Sequence, residues 1–304
     1  LLKYVPAFWG AIIIPAFVVL LMVAQPFIGK SEKGHRFNIG FLWCLLIGAG
    51  ALTFLAFSED RANKKHFAAV EEADWLAKRV VEIADKQGIP PSGAVTLLRE
   101  DHENRARRLF SSNCASCHLY NGHDGRGFPV DSNQSAPDLA GVASREWLEE
   151  LLDYDHYVSA KYFGGTAFKD GKMATKVLKK FDEKEKALVP KVAALLSDIA
   201  GLPYQKPLSE KDREEGFDVF FDELGCIDCH DIEDEDEGSA PDLTGYGSRD
   251  WLTAVVGDPS HERFYGKDND RMPSFARDEK LTEEEIGILV DWLRSKPSTN
   301  SEVR

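Results

Sequence analysis

The pentapeptide Cys-x-x-Cys-His occurs twice, as Cys114-Ala115-Ser116-Cys117-His118 and Cys226-Ile227-Asp228-Cys229-His230, and no other feature constrains the chain so tightly. On one helical turn, two thiols three residues apart reach the two vinyl carbons of a haem, and the adjacent imidazole reaches its iron. A structural zinc site needs two such pairs converging on one ion, without the trailing His. A thioredoxin-like redox pair needs a βαβ context, and no run of strands is visible in this sequence. Two covalently attached haem c groups are therefore the expected cofactors. The fifth cysteine, Cys44, lies in an apolar run, so no disulfide is left to predict.

The region carrying these motifs is duplicated. Ala136-Pro137-Asp138-Leu139 recurs as Ala240-Pro241-Asp242-Leu243, and Ser144-Arg145-Glu146-Trp147-Leu148 as Ser248-Arg249-Asp250-Trp251-Leu252, both 104 residues on. Phe163-Gly164 recurs as Tyr265-Gly266, and Met173 as Met272, while the Cys pairs are 112 apart. Several motifs in one order mean a repeated unit, with a longer loop after the first Cys-x-x-Cys-His. Each unit ends in a helical pattern; in the second, Thr282 to Glu285 forms a capping box ahead of Ile286–Leu293.

His118 and His230 each take one axial position on iron, so a second ligand must come from elsewhere in each unit. The chain has three methionines. Met22 lies in an apolar run, whereas Met173 and Met272 stand at matching places, 55 residues after His118 and 42 after His230. A lone Met is usually core filler, but a symmetric pair reads as ligands. His/Met ligation gives a six-coordinate, low-spin iron of raised potential, suited to passing single electrons. His156 and His261, 105 apart, and His123 offer bis-His alternatives; surface or supporting roles are the expectation for all three.

Pro6–Gly29 and Phe37–Phe57 are charge-free runs of 24 and 21 residues. At 1.5 Å per residue the shorter spans roughly 32 Å, enough for a hydrocarbon core of about 30 Å. Two transmembrane helices are expected, the first kinked at Pro15, with Trp9 and Trp43 as packing residues. The connecting loop Lys30–Arg36 is basic and faces the cytoplasm by the positive-inside rule, although Arg61, Lys64 and Lys65 follow the second span. Thioether attachment of haem takes place outside the cytoplasmic membrane. Both considerations put everything after residue 57 on the extracytoplasmic side. Phe67, Val70, Trp75, Leu76, Val80 and Ile83 recur at helical spacing, which predicts an amphipathic helix over 60–87 that stops at Gly88, Pro90 and Pro91. It is expected to cover its own haem domain. The chain begins Leu1-Leu2-Lys3 with no initiator Met and is expected to be part of a longer polypeptide.

Each repeat resembles a class I cytochrome c domain, a few helices wrapped around one haem. In that family a Pro carbonyl after the attachment motif accepts a hydrogen bond from the axial His, and a nearby Leu packs on the haem. Pro137 with Leu139, and Pro241 with Leu243, stand in that place. An acceptor on the second imidazole nitrogen fixes the tautomer and strengthens the ligand. Arg271-Met272-Pro273 is also family-like, while Lys172-Met173-Ala174 lacks the Pro. The resemblance suggests Trp147, Trp251, Arg145 and Arg249 as propionate contacts, with packing and surface charge as the alternative. The apolar hairpin, with Leu1-Leu2-Lys3-Tyr4 and Gln25-Pro26-Phe27-Ile28, resembles the last two helices of a cytochrome b. That resemblance implies a cytochrome b/c fusion in a quinol–cytochrome c oxidoreductase, taking electrons from a Rieske iron–sulfur protein. A dihaem subunit of a haem-copper oxidase and a dihaem peroxidase remain open.

The expected fold is all-α: a two-helix transmembrane hairpin (1–58), an amphipathic helix and linker (59–92), two tandem class I cytochrome c domains (93–203 and 204–297) and a tail (298–304). Residues 201–304 hold 12 Lys+Arg against 27 Asp+Glu, a net of −15, and the whole chain is −14. An acidic domain repels nucleic acid and anionic lipid and attracts basic partners. The run Asp231–Glu237, directly after the second motif, suggests a docking face for a basic soluble carrier. The expected partners are thus membrane lipid, cytochrome bc-type subunits including the Rieske protein, and such a carrier.

Overall fold

A computed structural model describes residues 8–130, 135–232, 238–269 and 271–297. Contacts divide the chain into two compact units, residues 1–64 and 65–304.

In the first unit a π-helical turn, Trp9–Ile13, leads into helix α1, Ile14–Ile28. Pro15 follows directly on this turn, and the irregularity expected at Pro15 takes the form of the π-turn before it. Helix α2 follows, Glu32–Ala62. Its apolar side chains face outward, with Leu46, Ile47 and Phe54 all exposed, the reverse of a helix folded in water. Among the described residues α2 is long and apolar enough to cross a membrane, and α1 is a shorter apolar helix. The turn between them is tighter than the expected Lys30–Arg36 loop. Ser31 Oγ accepts from Gly34 N at 3.1 Å and Arg36 pairs with Glu32, so this basic stretch forms the first turns of α2. A side chain at Gly34 would collide with the Ile28 carbonyl, so glycine sets how closely the two helices approach.

The second unit holds helices α3 (Lys64–Gln87, of which Lys64 lies at the boundary), α4 (Ala94–Glu100), α5 (His102–Asn113), α6 (Arg145–Leu151), α7 (Tyr154–Tyr157), α8 (Glu183–Ala200), α9 (Glu210–Asp218), α10 (Arg249–Gly257) and α11 (Glu283–Leu293). The described residues contain no strand, only isolated bridges from Tyr120 to His123 and Asp124. Start signals are local. Asp101 caps α5, and Ser144 and Ser248 cap α6 and α10. Capping boxes Asp182/Glu185 and Thr282/Glu285 open α8 and α11. The second box and the end of α3 before Gly88 fall where the residue pattern places them.

The repeats are interlocked. Within each repeat, α6 packs on α8 and α10 on α11. The helix that opens each repeat packs instead on the helix that closes the other, α5 on α11 and α9 on α8. The pattern is apolar residues four apart. Ala106 and Phe110 on α5 share a core with Leu289, Trp292 and Leu293; Phe220, just after α9, shares it with Val192, Leu195 and Leu196. Phe110 and Phe220 are fully buried, each worth about 1.5–3 kcal/mol of burial. Ion pairs Arg105–Glu284 (2.8 Å), Lys191–Glu215 (2.5 Å) and Arg213–Asp198 (3.3 Å) follow the same exchange. Ala143 and Gly247 are equivalent residues 104 apart. Both have positive φ, 64° and 69°, and a Cβ on Gly247 would come within 2.5 Å of that of Ala143. Contact between equivalent positions marks an internal two-fold relation. The expected boundary at residues 203/204 falls between α8 and α9, which pack on each other across it.

Helix α3 docks on the first repeat through polar contacts. Its packed face is Ala68 and Glu72, both buried, with Trp75 and Arg79 half-buried, whereas Phe67 and Val70 are 53 and 54 % exposed. The expected apolar stripe is thus rotated partly out to solvent. Glu72 accepts from Arg107 (2.7 Å) and Arg126 (3.0 Å), Arg107 lies over the Trp75 ring at 3.8 Å, and Arg79 pairs with Asp101 at 2.7 Å. Buried charges must be paired, and satisfying them sets the rotation.

Candidate haem centres

Both attachment motifs are single turns at the end of an opening helix. In the first, His118 N and Cys117 N both donate to Cys114 O, at 2.8 and 3.0 Å. In the second, His230 N and Cys229 N donate to Cys226 O at 3.0 and 3.2 Å. None of the four cysteines is in a disulfide. Burial pushes the Cys114 thiol up to about 12 and the Cys226 thiol up to about 11, so both are neutral S–H groups.

His118 Nδ1 lies 2.8 Å from Pro137 O, and His230 Nδ1 lies 2.8 Å from Pro241 O. A carbonyl can only accept, so Nδ1 carries the proton in each ring and Nε2 keeps its lone pair. Burial holds both imidazoles below the usual His range. The outcome is a pair of neutral imidazoles, each oriented by its second nitrogen, as a metal-ligating His requires.

The Pro-Asp-Leu segments are bolted in place identically. Asp138 N and Asp242 N donate to Lys161 O and Arg263 O at 2.8 and 2.9 Å. Leu139 N and Leu243 N donate to Leu119 O and Asp231 O at 2.9 and 2.7 Å. The side chains of Leu139 and Leu243 pack at the edge of the main core. Trp147 Nε1 donates to Asp138 O at 2.9 Å and Trp251 Nε1 to Asp242 O at 3.0 Å. The indoles therefore hold the segment that holds the histidine, which is the packing role left open beside the propionate contact. Arg145 donates to Lys206 O, with its Nε buried and unpartnered, and Arg249 pairs with Asp291. The Phe163-Gly164 and Tyr265-Gly266 pairs sit in matching loops, Phe163 N bonding Tyr157 O and Tyr265 N bonding Pro259 O.

The two methionines have different settings. Met173 opens a π-helical turn, Met173–Val177, beside Tyr157, Leu178 and Phe163. Met272 is held by Asn269, which accepts from Met272 N at 3.2 Å and donates to Met272 O at 2.9 Å. Neither His156, bonded to Asp153, nor His261, which accepts from Arg263 N, is buried. His123 Nδ1 accepts from Gly125 N and Gly127 N at 3.0 and 3.2 Å and so shapes the loop after the first motif. Residues 233–237 of the acidic run, and Leu1 to Tyr4 of the cytochrome b resemblance, lie outside the described residues.

Four residues had no role assigned from sequence. Asp138 sits inside a repeated motif, and its carboxylate collects the N–H groups of Asn121, Gly122 and Ala140. Asp242, its counterpart, takes Arg263 and Thr244 N. Their repetition was the available signal. Glu72 is a charge within the arc between Ala68 and Trp75, also legible in principle. Asn269 carries no pattern, because a single amide near a methionine is indistinguishable from loop polarity.

These residues fit haem c. Each repeat brings two free thiols, one neutral imidazole with an available Nε2 and one partly buried thioether. Among the described residues no three His, Cys, Asp or Glu side chains converge on one point, so the two Cys pairs do not share a zinc ion. The cytochrome c family matches residues 104–194 and 214–297, and each stretch contains one attachment motif, one Pro-Asp-Leu segment and one of the two methionines. No curated protein and no solved structure matches the chain. The family implies covalently bound haem c, and with more than half of its length matched in two successive stretches the chain belongs to the cytochrome c family, as a c-type haem electron-transfer protein with the domain in tandem.

Proposed function

We propose that the chain is the dihaem electron-relay part of a membrane quinol–cytochrome c reductase. It carries two haem c groups, ligated by His118 with Met173 and by His230 with Met272. The observation that carries this reading is the twin His–Pro carbonyl bond, 2.8 Å in both repeats. Two ligand sites built alike on one chain suit successive one-electron steps better than a single reactive iron with an open position. Haem c supplies a one-electron iron couple. The protein's part is to hold each imidazole neutral and oriented, to offer a thioether from the end of the repeat, and to keep water away with the Trp147 and Trp251 neighbourhoods. His/Met ligation raises the potential, which fits a carrier that takes electrons from a Rieske-type donor.

The long apolar helix α2 supports a membrane anchor; on this reading α1 is a second span and the haem repeats lie on the extracytoplasmic side. The likeness of these helices to the end of a cytochrome b supports a fusion within a bc-type complex. The acidic C-terminal repeat, net −15 over residues 201–304, suits a basic soluble acceptor whose on-rate falls with salt. The pyridine haemochrome of the purified chain should give two haems that acidified organic solvent does not extract. One haem per chain, or haem released by that solvent, overturns the relay. The complex is tested separately: the full polypeptide should co-purify with a Rieske protein and be reduced by quinol in its presence. Neutralising Asp234 to Glu237 should flatten the salt dependence of carrier reduction.

A further inference from the structure

We propose that each haem centre is positioned in trans, so that Trp292 of the second repeat serves the first centre and Leu195 of the first repeat serves the second. The inference rests on the two-haem reading above and adds which residues shape which site.

Helix α11 has two apolar faces. Ile286 and Val290 share a cluster with Trp251, Leu252, Val255 and Val256 of its own repeat. Leu289, Trp292 and Leu293 join the core with Ala106, Phe110 and Tyr120 of the other. Trp292 stacks on Tyr120 at 4.2 Å between centroids and meets Phe110 edge-on at 5.6 Å. A Cβ on Gly125 would lie 3.3 Å from the same indole. Tyr120 is two residues beyond His118, and its N–H donates to His123 O at 2.8 Å. Leu119, between the two, supplies the carbonyl that anchors Leu139 N. Trp292 thus presses on the loop that continues from the first iron-binding His, although it lies 174 residues further on.

The reciprocal contact is aliphatic. A Cβ on Gly216 would come within 2.9 Å of Leu195 Cβ and 3.4 Å of Lys191 O, so glycine allows the close approach of α9 to α8. Val219 and Phe220 then run on through a π-helical turn, Val219–Glu223, toward Cys226. Aligned on the capping boxes, Val192 occupies the place of Trp292. Aligned on the Cys pairs, Ile232 occupies that of Tyr120. One centre is therefore braced by stacked aromatic rings and the other by branched aliphatics.

The test uses the full chain carrying both haems, with the two sets of signals assigned from variants that keep only one Cys pair. Trp292→Leu should shift the midpoint of the haem at Cys114–Cys117 and raise the rate at which its sulfur–iron absorbance is lost on warming by roughly tenfold, as loss of an aromatic stack implies. The haem at Cys226–Cys229 should keep its wild-type midpoint. Leu195→Ala should do the reverse. Trp292→Phe keeps a ring against Tyr120 and should restore most of the first-site behaviour, which a general packing defect would not allow. Changes confined to the second site in Trp292→Leu, or equal at both sites, overturn the assignment while leaving two haems per chain. A chain that binds only one haem instead overturns the relay reading itself.

Discussion

The two repeats agree around the histidine and differ around the methionine. His118 and His230 make the same 2.8 Å contact with a proline carbonyl, and Trp147 and Trp251 lock the same backbone segment. Met272 sits in an extended loop clamped by Asn269, whereas Met173 begins a π-helical turn beside a tyrosine and has no such amide. The first repeat is instead secured from outside by Glu72 on α3, and from within by the Asp138 and His123 loops. Duplication has kept the geometry that presents an imidazole to iron and let the sulfur side diverge. The proximal side demands one tautomer and one orientation, while a flexible thioether can be delivered by more than one backbone path.

The largest effect expected from this contrast is on the two methionines proposed as sulfur ligands. Met272→Ala and Met173→Ala should each abolish one sulfur–iron absorbance and lower one midpoint, by a sizeable part of the roughly 0.8 V that axial ligands span. Midpoints that stay unchanged in either variant, read by redox titration, would break the parallel between the repeats. Next in size is Glu72→Gln. It leaves Arg107 and Arg126 facing a neutral amide in a buried site, and breaking such an arrangement costs about 3–5 kcal/mol. Denaturant unfolding should show that loss, and hydrogen exchange should place it around α5 and the 120–128 loop.

A smaller effect belongs to His123. Burial holds its pKa below the usual value, and its unprotonated Nδ1 is the acceptor for two backbone N–H groups. The unfolded chain takes up a proton near pH 6.5 that the folded chain refuses. Stability is therefore full above about pH 6.5 and declines as pH falls, until the folded-state pKa is reached. In the proposed ligation His118 and His230 are committed to iron, so His123→Asn should flatten this slope in stability measured between pH 7 and pH 5. The smallest effect is that of Asn269→Ala, about 1 kcal/mol per lost hydrogen bond. It should loosen Met272 and speed displacement of the second-site sulfur by an added ligand such as imidazole, with no change at the first site.

Much of each centre is legible in the residues because its parts are near one another or repeat. The Cys-x-x-Cys-His turns, the Pro-Asp-Leu anchors and the capping boxes all satisfy local hydrogen-bonding rules, which spacing alone encodes. Of the two roles open for Trp147 and Trp251, the structure shows the packing one, each indole N–H donating to a backbone carbonyl of the Pro-Asp-Leu segment, a choice of acceptor that spacing alone does not encode. The amphipathic helix at 60–87 was legible in extent but not in rotation, because the charge of Glu72 outweighs the apolar count of Phe67 and Val70.

The sequence by itself determined that the chain bears two haem-attachment turns, a duplicated helical unit, two matched thioethers and an apolar N-terminal segment. Only the tertiary structure decided which opening helix meets which closing helix. Ala106 with Phe110, and a glycine with Phe220, are the same four-residue stripe, and either fits against α8 or α11. Hydrophobic contact has no direction, so the stripe specifies burial but not the partner. The choice falls to close approach at Gly216, ring stacking on Trp292 and the ion pairs Arg105–Glu284 and Lys191–Glu215, all of which exist only once both repeats are folded together.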